Sequence, residues 1–125
     1  YQDIIDDLIE KAKANGNACS AVSCYETVVL TENRTSGKEQ IDRNRIVRVQ
    51  TPQCYNYGLI KSLYEKADRD NREDFVYANI LAMNYGVEIY FSKGTNNNIK
   101  ITTKDDIALF RALLYYINNA EGEEN

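Results

Sequence analysis

The sequence predicts an α/β domain built around a mixed sheet, and three observations lead to this class. Helical apolar periodicity alternates with short apolar or β-branched runs, which is the pattern of layered α/β domains. Residues 18–23 are small and apolar without polar alternation, as expected of a strand covered on both faces. The chain has 125 residues, 43% of them apolar and 27% charged, which is enough for one domain with a modest core.

The first two elements are an amphipathic helix and the buried strand. The apolar residues that recur at helical spacing are Ile4, Ile5, Leu8, Ile9 and Ala12. Asn15 and Gly16 then form a typical helix end, because glycine adopts the left-handed conformation that follows many helices. A strand over residues 18–23 has no polar face, so we expect neighbours on both sides of it.

A long hairpin, or β-arm, is predicted over about residues 24–50. Residues 27–31 (TVVLT) and 41–50 (IDRNRIVRVQ) have strand composition, and the polar segment 32–40 between them has turn composition. An arm exposed on both faces is a poor independent unit. We therefore expect it to contact a partner surface.

The second half of the chain continues the alternation. Pro52 is the only proline and predicts a rigid turn after the arm. Apolar periodicity then predicts helices over residues 59–67 and 75–82, the second ending near Gly86, followed by a short strand at 87–91.

The segment around Lys100 is the first candidate for chemistry. It follows the polar loop 94–98 (GTNNN), and Lys100 lies between Ile99 and Ile101. In an extended segment its side chain points away from theirs, so the isoleucines would anchor while the lysine reaches out. The residues alone leave two interpretations open: an anion ligand, or a surface lysine beside a well-capped helix.

A final helix begins directly after this lysine. Thr102 or Thr103 is the predicted N-cap, and Asp105 and Asp106 fall in the first turn, where the helix dipole favours negative charge. The apolar face consists of Ile107, Ala108, Phe110, Leu113, Leu114 and Ile117. The acidic tail, residues 120–125, is expected to fray.

Composition excludes several classes of function. The net charge of −4 leaves no basic footprint for nucleic acid. No apolar run approaches the roughly 20 residues that a transmembrane helix needs, and nothing at the N-terminus resembles a signal peptide. The sequence therefore predicts a cytoplasmic protein that binds neither nucleic acid nor membrane.

The cysteines do not predict a metal centre. Cys19, Cys24 and Cys54 are odd in number and lack metal-ligand spacing, and the chain contains no histidine. Zinc sites and serine or cysteine triads of the usual kind are thereby disfavoured. We predict three reduced thiols, two of them buried.

Several motifs together resemble one enzyme family. In chain order they are IDRN at 41–44, QTPQ at 50–53 with Tyr55, then Gly86, Gly94 and NIKITT at 98–103 with its acidic helix start. This set resembles the C-terminal half of the cytidylyltransferases, in the group that contains 2-C-methyl-D-erythritol 4-phosphate cytidylyltransferase and ribitol-5-phosphate cytidylyltransferase. The resemblance covers nearly the whole chain.

The resemblance implies a Rossmann-like nucleotidyltransferase domain that works as a homodimer and exchanges β-arms. The implied reaction joins the CMP part of CTP to a polyol phosphate and releases pyrophosphate, with magnesium. Lys100 would stabilise the phosphate undergoing substitution, Arg43 would reach across the dimer to the acceptor's phosphate, and Thr27 would assist there. Thr51 would line the acceptor pocket. No metal ligand is assigned to this chain.

Each of these residues also has a purely structural interpretation. Arg43 stands next to Asp42 and near other arginines, so an ordinary interface ion pair would explain it. Thr27 and Thr51 are typical of a strand start and of the position before proline.

Two departures from the family pattern change what we expect. An acidic cluster of the family is replaced by Val76-Tyr77-Ala78, which favours a divergent member, and the acceptor then stays open between an isoprenoid precursor and a polyol phosphate of cell-surface polymers. The six glycines are scattered and form no phosphate-binding loop. We expect a fragment that lacks the CTP-binding half and is inactive alone, or alternatively a non-catalytic dimerisation module derived from the family.

Overall fold

A computed structural model describes residues 1–73 and 77–120, and the chain divides into two compact units, Tyr1–Gly94 and Thr95–Asn125. The elements of the first unit are α1 (Gln2–Asn15), β1 (Asn17–Ser23), β2 (Val28–Leu30), β3 (Glu39–Ile41), a 3-10 turn (Arg43–Arg45), β4 (Val47–Tyr55), α2 (Tyr57–Arg69), α3 (Ala78–Asn84) and β5 (Phe91–Lys93). The second unit contains α4 (Lys104–Ala120).

The main sheet is mixed and has β1 at its centre. β4 pairs with β1 in antiparallel orientation and β5 pairs with it in parallel orientation. Residues 17–20 of β1 are buried. The predicted α/β class and the predicted central strand are thus confirmed.

Two apolar clusters cover the two faces of β1. Ala18 packs with Leu8 and Ala12 of α1. Cys19 points to the opposite face, since neighbouring strand residues alternate, and it packs with residues of α2 and α3: Leu63, Ala67, Leu81 and Ala82. α1 ends as predicted, because Gly16 has φ 89° and its amide donates to the Ala12 carbonyl at 2.8 Å.

Asn17 is a buried polar residue that fixes the approach to β5. Its side chain is 1% exposed, its Nδ2 donates to the Glu88 carbonyl at 2.9 Å, and its Oδ1 accepts from the Tyr90 amide at 3.2 Å. The predicted strand at 87–91 is wrong in its bounds, since the strand runs over Phe91–Lys93. The side-chain amide of Asn17 bonds the Glu88 carbonyl and the Tyr90 N–H. A strand that began earlier would need these two backbone groups to pair with the backbone of β1.

The two strands of the arm are shorter than predicted. β2 and β3 form a separate two-stranded sheet, in which Val28 pairs with Ile41 and Leu30 with Glu39. The predicted strand 41–50 is wrong as a single strand, because the 3-10 turn Arg43–Arg45 interrupts it and the chain after Ile46 joins the main sheet.

The predicted turn at Pro52 is also wrong, because β4 continues through this residue. Cys19 lies opposite Gln53 and Ala21 opposite Val49, so residues 50–52 all face Ser20. The Thr51–Pro52 peptide bond is cis. A bulge of this kind leaves residues out of the ladder, and it accommodates a proline because proline has no N–H to donate.

The helices agree with the sequence pattern. α2 and α4 contain the residues predicted for them. α3 begins only at Ala78, with Tyr77 as its N-cap, and Phe75 and Val76 lie outside the described residues. Of the predicted acidic tail only Ala120 is described, as the last residue of α4. The three cysteines are free, with Cys19 and Cys24 buried, as predicted. Among the described residues, no helix combines the length and apolar character needed to cross a membrane.

Candidate functional site

The base of the arm brings two of the predicted site residues into one region. Thr27 is exposed and directly precedes β2, while Arg43 is exposed in the turn that follows β3. The Arg43 guanidinium crosses back to the start of the arm, where its Nη1 donates to the Tyr25 carbonyl at 2.9 Å. The arm hairpin therefore places Arg43 beside the segment that carries Thr27.

The turn that holds Arg43 is fixed by its own sequence. Asp42 caps the 3-10 turn, because its Oδ1 accepts from the Asn44 amide at 3.0 Å. Its carboxylate is thus used for capping, and Arg43 and Arg45 form no ion pair within the described part of the chain. An interface ion pair of Arg43 would need a second chain and stays a prediction, and the bond to the Tyr25 carbonyl leaves further donors of the guanidinium for such a partner or for an anion.

Glu26 organises the loop next to Thr27 and was missed by the sequence analysis. Its Oε2 accepts from the Cys24 thiol at 3.4 Å and from the Tyr25 amide at 3.2 Å. Hydrogen bonds from its own backbone and from Cys24, together with the charge of Arg48, lower the pKa of the Glu26 carboxyl. Its position next to Thr27 is the only signal in the sequence, and a glutamate there is usually a solvated surface residue.

Thr51 lies in the bulged part of β4, where it is exposed. The first three residues of β4 are exposed as well, whereas Gln50 and Pro52, on either side of Thr51, are half-buried. The pre-proline interpretation of Thr51 stays open. Thr51, Thr27 and Arg43 all belong to the first unit.

Lys100 belongs to the second unit and is exposed. It follows a polar turn in which the Asn98 amide donates to the Thr95 carbonyl at 3.1 Å and the Asn97 amide to Thr95 Oγ1 at 3.3 Å. The predicted extended segment from Asn98 to Thr102 contains no strand. Its isoleucines are only partly covered, Ile101 being 49% exposed.

The helix start after Lys100 is capped from within the chain. Thr103 Oγ1 accepts from the Asp106 amide at 3.2 Å, and the Asp106 carboxylate accepts from the amides of Thr102 at 2.9 Å and Thr103 at 2.7 Å. These backbone and hydroxyl donors lower the pKa of the Asp106 carboxyl to about 2. The predicted N-cap is confirmed at Thr103, and the Asp106 carboxylate takes the amides of Thr102 and Thr103, which directly precede the helix.

The described residues contain no cluster of metal-ligating side chains. Within residues 1–73 and 77–120, no three side chains of His, Cys, Asp or Glu group together so that they could hold a metal ion by themselves.

Known proteins resemble this chain over most of its length. The family described as IspD: 2-C-methyl-D-erythritol 4-phosphate cytidylyltransferase matches residues 1–116. The ribitol-5-phosphate cytidylyltransferase of Lacticaseibacillus paracasei is 36% identical over 113 residues, which make up 89% of this chain and 48% of that protein. The 2-C-methyl-D-erythritol 4-phosphate cytidylyltransferase of Clostridium novyi is 34% identical over 111 residues, with shares of 89% and 48%.

The fold has a counterpart among solved structures. The crystal structure of Francisella tularensis 2-C-methyl-D-erythritol 4-phosphate cytidylyltransferase has a TM-score of 0.77 and 26% identity, over 90% of this chain and 52% of that one. The chain spans about half the length of the curated relatives it matches. The matches do not support the narrower prediction that this chain is a C-terminal half. They give the residues of this chain that align, 1–116, and the fraction of each relative's length that is covered.

Proposed function

Because this chain belongs to the 2-C-methyl-D-erythritol 4-phosphate cytidylyltransferase family, we propose that it forms part of a cytoplasmic enzyme that transfers CMP from CTP to a polyol phosphate. Relatives named for methylerythritol phosphate and for ribitol phosphate match it with similar identity, 34% and 36%. The acceptor is therefore proposed as a class, a small polyol phosphate, and the assay below separates the two members.

In the proposed reaction, a phosphate oxygen of the polyol attacks the α-phosphorus of CTP. A new P–O–P bond forms, and pyrophosphate leaves with the electrons of the bond that breaks. Such a transfer needs positioning and neutralisation of oxygen charge more than side-chain acid–base chemistry, so a chain without histidine can contribute to it. Lys100 would stabilise charge at the α-phosphate, and Arg43, Thr27 and Thr51 would bind the acceptor.

The state of Arg43 is the observation that carries the acceptor assignment. Its guanidinium is held by a single bond to the Tyr25 carbonyl, at 2.9 Å, and faces no carboxylate within hydrogen-bonding reach among the described residues. An arginine with unused donors suits a phosphate, which accepts several charge-assisted hydrogen bonds. The neighbouring Thr27 supplies a hydroxyl next to the same segment.

The remainder of the site would come from outside this chain. The chain covers about half of its relatives' length and has no glycine-rich phosphate loop, so CTP and magnesium would be held mainly elsewhere in the whole protein. The separate β2–β3 sheet, with Val29 48% and Leu30 55% exposed, supports the proposal that the arm packs against a second copy in a homodimer.

Lys100 is tested in the whole protein by pyrophosphate release from CTP and magnesium, with methylerythritol 4-phosphate and ribitol 5-phosphate as separate acceptors. Lys100→Ala should lower kcat by about a hundredfold, because a group that stabilises developing charge has effects of this order. Lys104→Ala, at the first residue of α4, is the matched control and should keep kcat within twofold. An unchanged kcat for Lys100→Ala would return Lys100 to the surface-lysine interpretation.

Arg43 is tested in the same assay by the Michaelis constant for the acceptor. Arg43→Ala should raise this constant at least tenfold, whereas Arg45→Ala, in the same turn and without a bond to the arm base, should change it less than threefold. The 125-residue chain alone should release no pyrophosphate. If the whole protein also released none with either acceptor while forming dimers, the non-catalytic dimerisation module would replace the enzyme as the preferred function.

A further inference from the structure

The segment that joins β1 to the arm, residues 24–27, is held by one carboxylate. We call this segment the arm-base loop. Glu26 Oε2 accepts from the Cys24 thiol at 3.4 Å and from the Tyr25 amide at 3.2 Å. Cys24 is only 6% exposed, so this contact ties the exposed loop to a buried side chain at the end of the sheet.

Arg43 also bonds the backbone of this loop, at the Tyr25 carbonyl. The Tyr25 amide donates to Glu26, and the Tyr25 carbonyl accepts from Arg43 Nη1 at 2.9 Å. Tyr25 is therefore bonded on both of its backbone polar groups, although its own side chain is 70% exposed. Two charged side chains from different parts of the arm thus fix one short stretch of backbone.

The negative charge of Glu26 interacts with Arg48, and Arg43 does not share in this interaction. The arginine whose charge lowers the pKa of the Glu26 carboxyl is Arg48, on β4. The side-chain contact of Arg43 within residues 1–73 and 77–120 is with the neutral Tyr25 carbonyl. Glu26 can thus order the loop through hydrogen bonds without neutralising the guanidinium that would bind a phosphate.

We propose that Glu26 is a positioning residue that holds the arm-base loop so that Thr27 and Arg43 bind one phosphate group of the acceptor. This inference rests on the proposed function, since it needs Arg43 at the acceptor. Glu26 itself does not touch the substrate. It accepts from the amide of Tyr25, the residue whose carbonyl accepts from the Arg43 guanidinium, and it directly precedes Thr27 in the chain.

The test measures steady-state kinetics of the whole protein with CTP and the better polyol phosphate. Glu26→Ala should raise the Michaelis constant for the polyol phosphate about tenfold, while kcat and the Michaelis constant for CTP change less than twofold. Glu26→Gln should restore most of the affinity, because its amide oxygen can still accept from Cys24 and Tyr25. Glu39→Ala, an exposed glutamate on β3, is the matched control and should behave as the unaltered protein.

The outcomes separate this inference from the proposed function. If Arg43→Ala raises the Michaelis constant for the acceptor and Glu26→Ala does not, the positioning role is wrong and the acceptor assignment stands. If Arg43→Ala has no effect, the acceptor assignment itself fails. A fall in kcat together with similar rises in both Michaelis constants would show a general structural role for Glu26. That result would also overturn the inference. Glu26→Met, which keeps the side-chain length without oxygens, provides the same comparison if the alanine variant does not fold.

Discussion

Asn17→Ala is the substitution whose effect the structure defines most fully. The side chain is 1% exposed and makes two hydrogen bonds to a segment more than 70 residues away in sequence, Nδ2 to the Glu88 carbonyl at 2.9 Å and Oδ1 from the Tyr90 amide at 3.2 Å. Alanine removes both partners and leaves the Glu88 carbonyl and the Tyr90 amide unpaired beside a buried position.

The size of the effect follows from the cost of an unsatisfied buried polar group, about 1–3 kcal/mol each. Two such groups, partly relieved by local rearrangement, should lower the free energy of unfolding by about 2–4 kcal/mol. This is a large fraction of the roughly 5–15 kcal/mol available to a domain. The measurement is urea unfolding followed by circular dichroism, in which the midpoint should fall while the slope stays constant.

Asn15→Ala is the control for this experiment. Asn15 lies two residues earlier, is exposed, and makes one side-chain bond to the Lys11 carbonyl at 2.9 Å, so its loss should change stability by less than about 0.5 kcal/mol. A loss below about 1 kcal/mol for Asn17→Ala, at an unchanged slope, would refute the assignment of Asn17 as the residue that holds the segment before β5.

Three further predictions concern other parts of the fold. Gly94→Ala should lower the melting temperature markedly, because a Cβ there would lie 2.7 Å from the Ala21 carbonyl oxygen, and backbone cannot move as a flexible side chain does. Asp106→Asn should destabilise the protein at neutral pH. The folded pKa of Asp106 is lowered to about 2, so its contribution is fully present above about pH 4 and is lost as the pH falls towards 2. The difference from the unaltered protein in urea unfolding should therefore vanish towards pH 2. Leu81→Ala should cost about 2–5 kcal/mol in the same assay, since Leu81 is fully buried.

The elements that the sequence predicts well are those in which local pattern and tertiary packing agree. In α1, the spacing of Leu8 and Ala12 sets the helix, and the same residues cover Ala18 of β1. β1 was predictable because small apolar residues without alternation suit a strand between two helical layers. Gly16 marks the boundary between them for a local reason, its positive φ of 89°.

The predictions that failed depended on partners that are distant in sequence. A proline usually ends a strand or lies at its edge, yet here the bulge opposite Ser20 accommodates Pro52. That bulge arises from the pairing of β4 with β1. The bounds of β5 depend on the Asn17 side chain, more than 70 positions away. The composition of a short stretch of sequence predicts neither the bulge at Pro52 nor the start of β5.

Some residues of the candidate site could be predicted from the sequence, and others depend on the fold. Residue pattern suggested Lys100, but Arg43 and Thr27 entered only through resemblance to a family, because an arm arginine and a strand-start threonine are ordinary in themselves. What the structure adds is the bond from Arg43 to the Tyr25 carbonyl and the role of Asp42 as a cap, which together leave Arg43 charged and unpaired with any carboxylate in the described residues. Glu26 had no signal in the sequence, because its role depends on the fold of the arm-base loop.

The start of α4 limits how a phosphate could be bound near Lys100. Helix N-termini commonly bind phosphate through free backbone amides, but here the amides of Thr102 and Thr103 already donate to the Asp106 carboxylate. A phosphate on the amides of Thr102 and Thr103 would have to displace the Asp106 carboxylate, whose pKa these donors lower to about 2. In the proposed reaction Lys100 would act through its ammonium group, while Thr103 and Asp106 cap the helix start behind it. A substitution at Lys100 should therefore affect the reaction far more than the stability of α4.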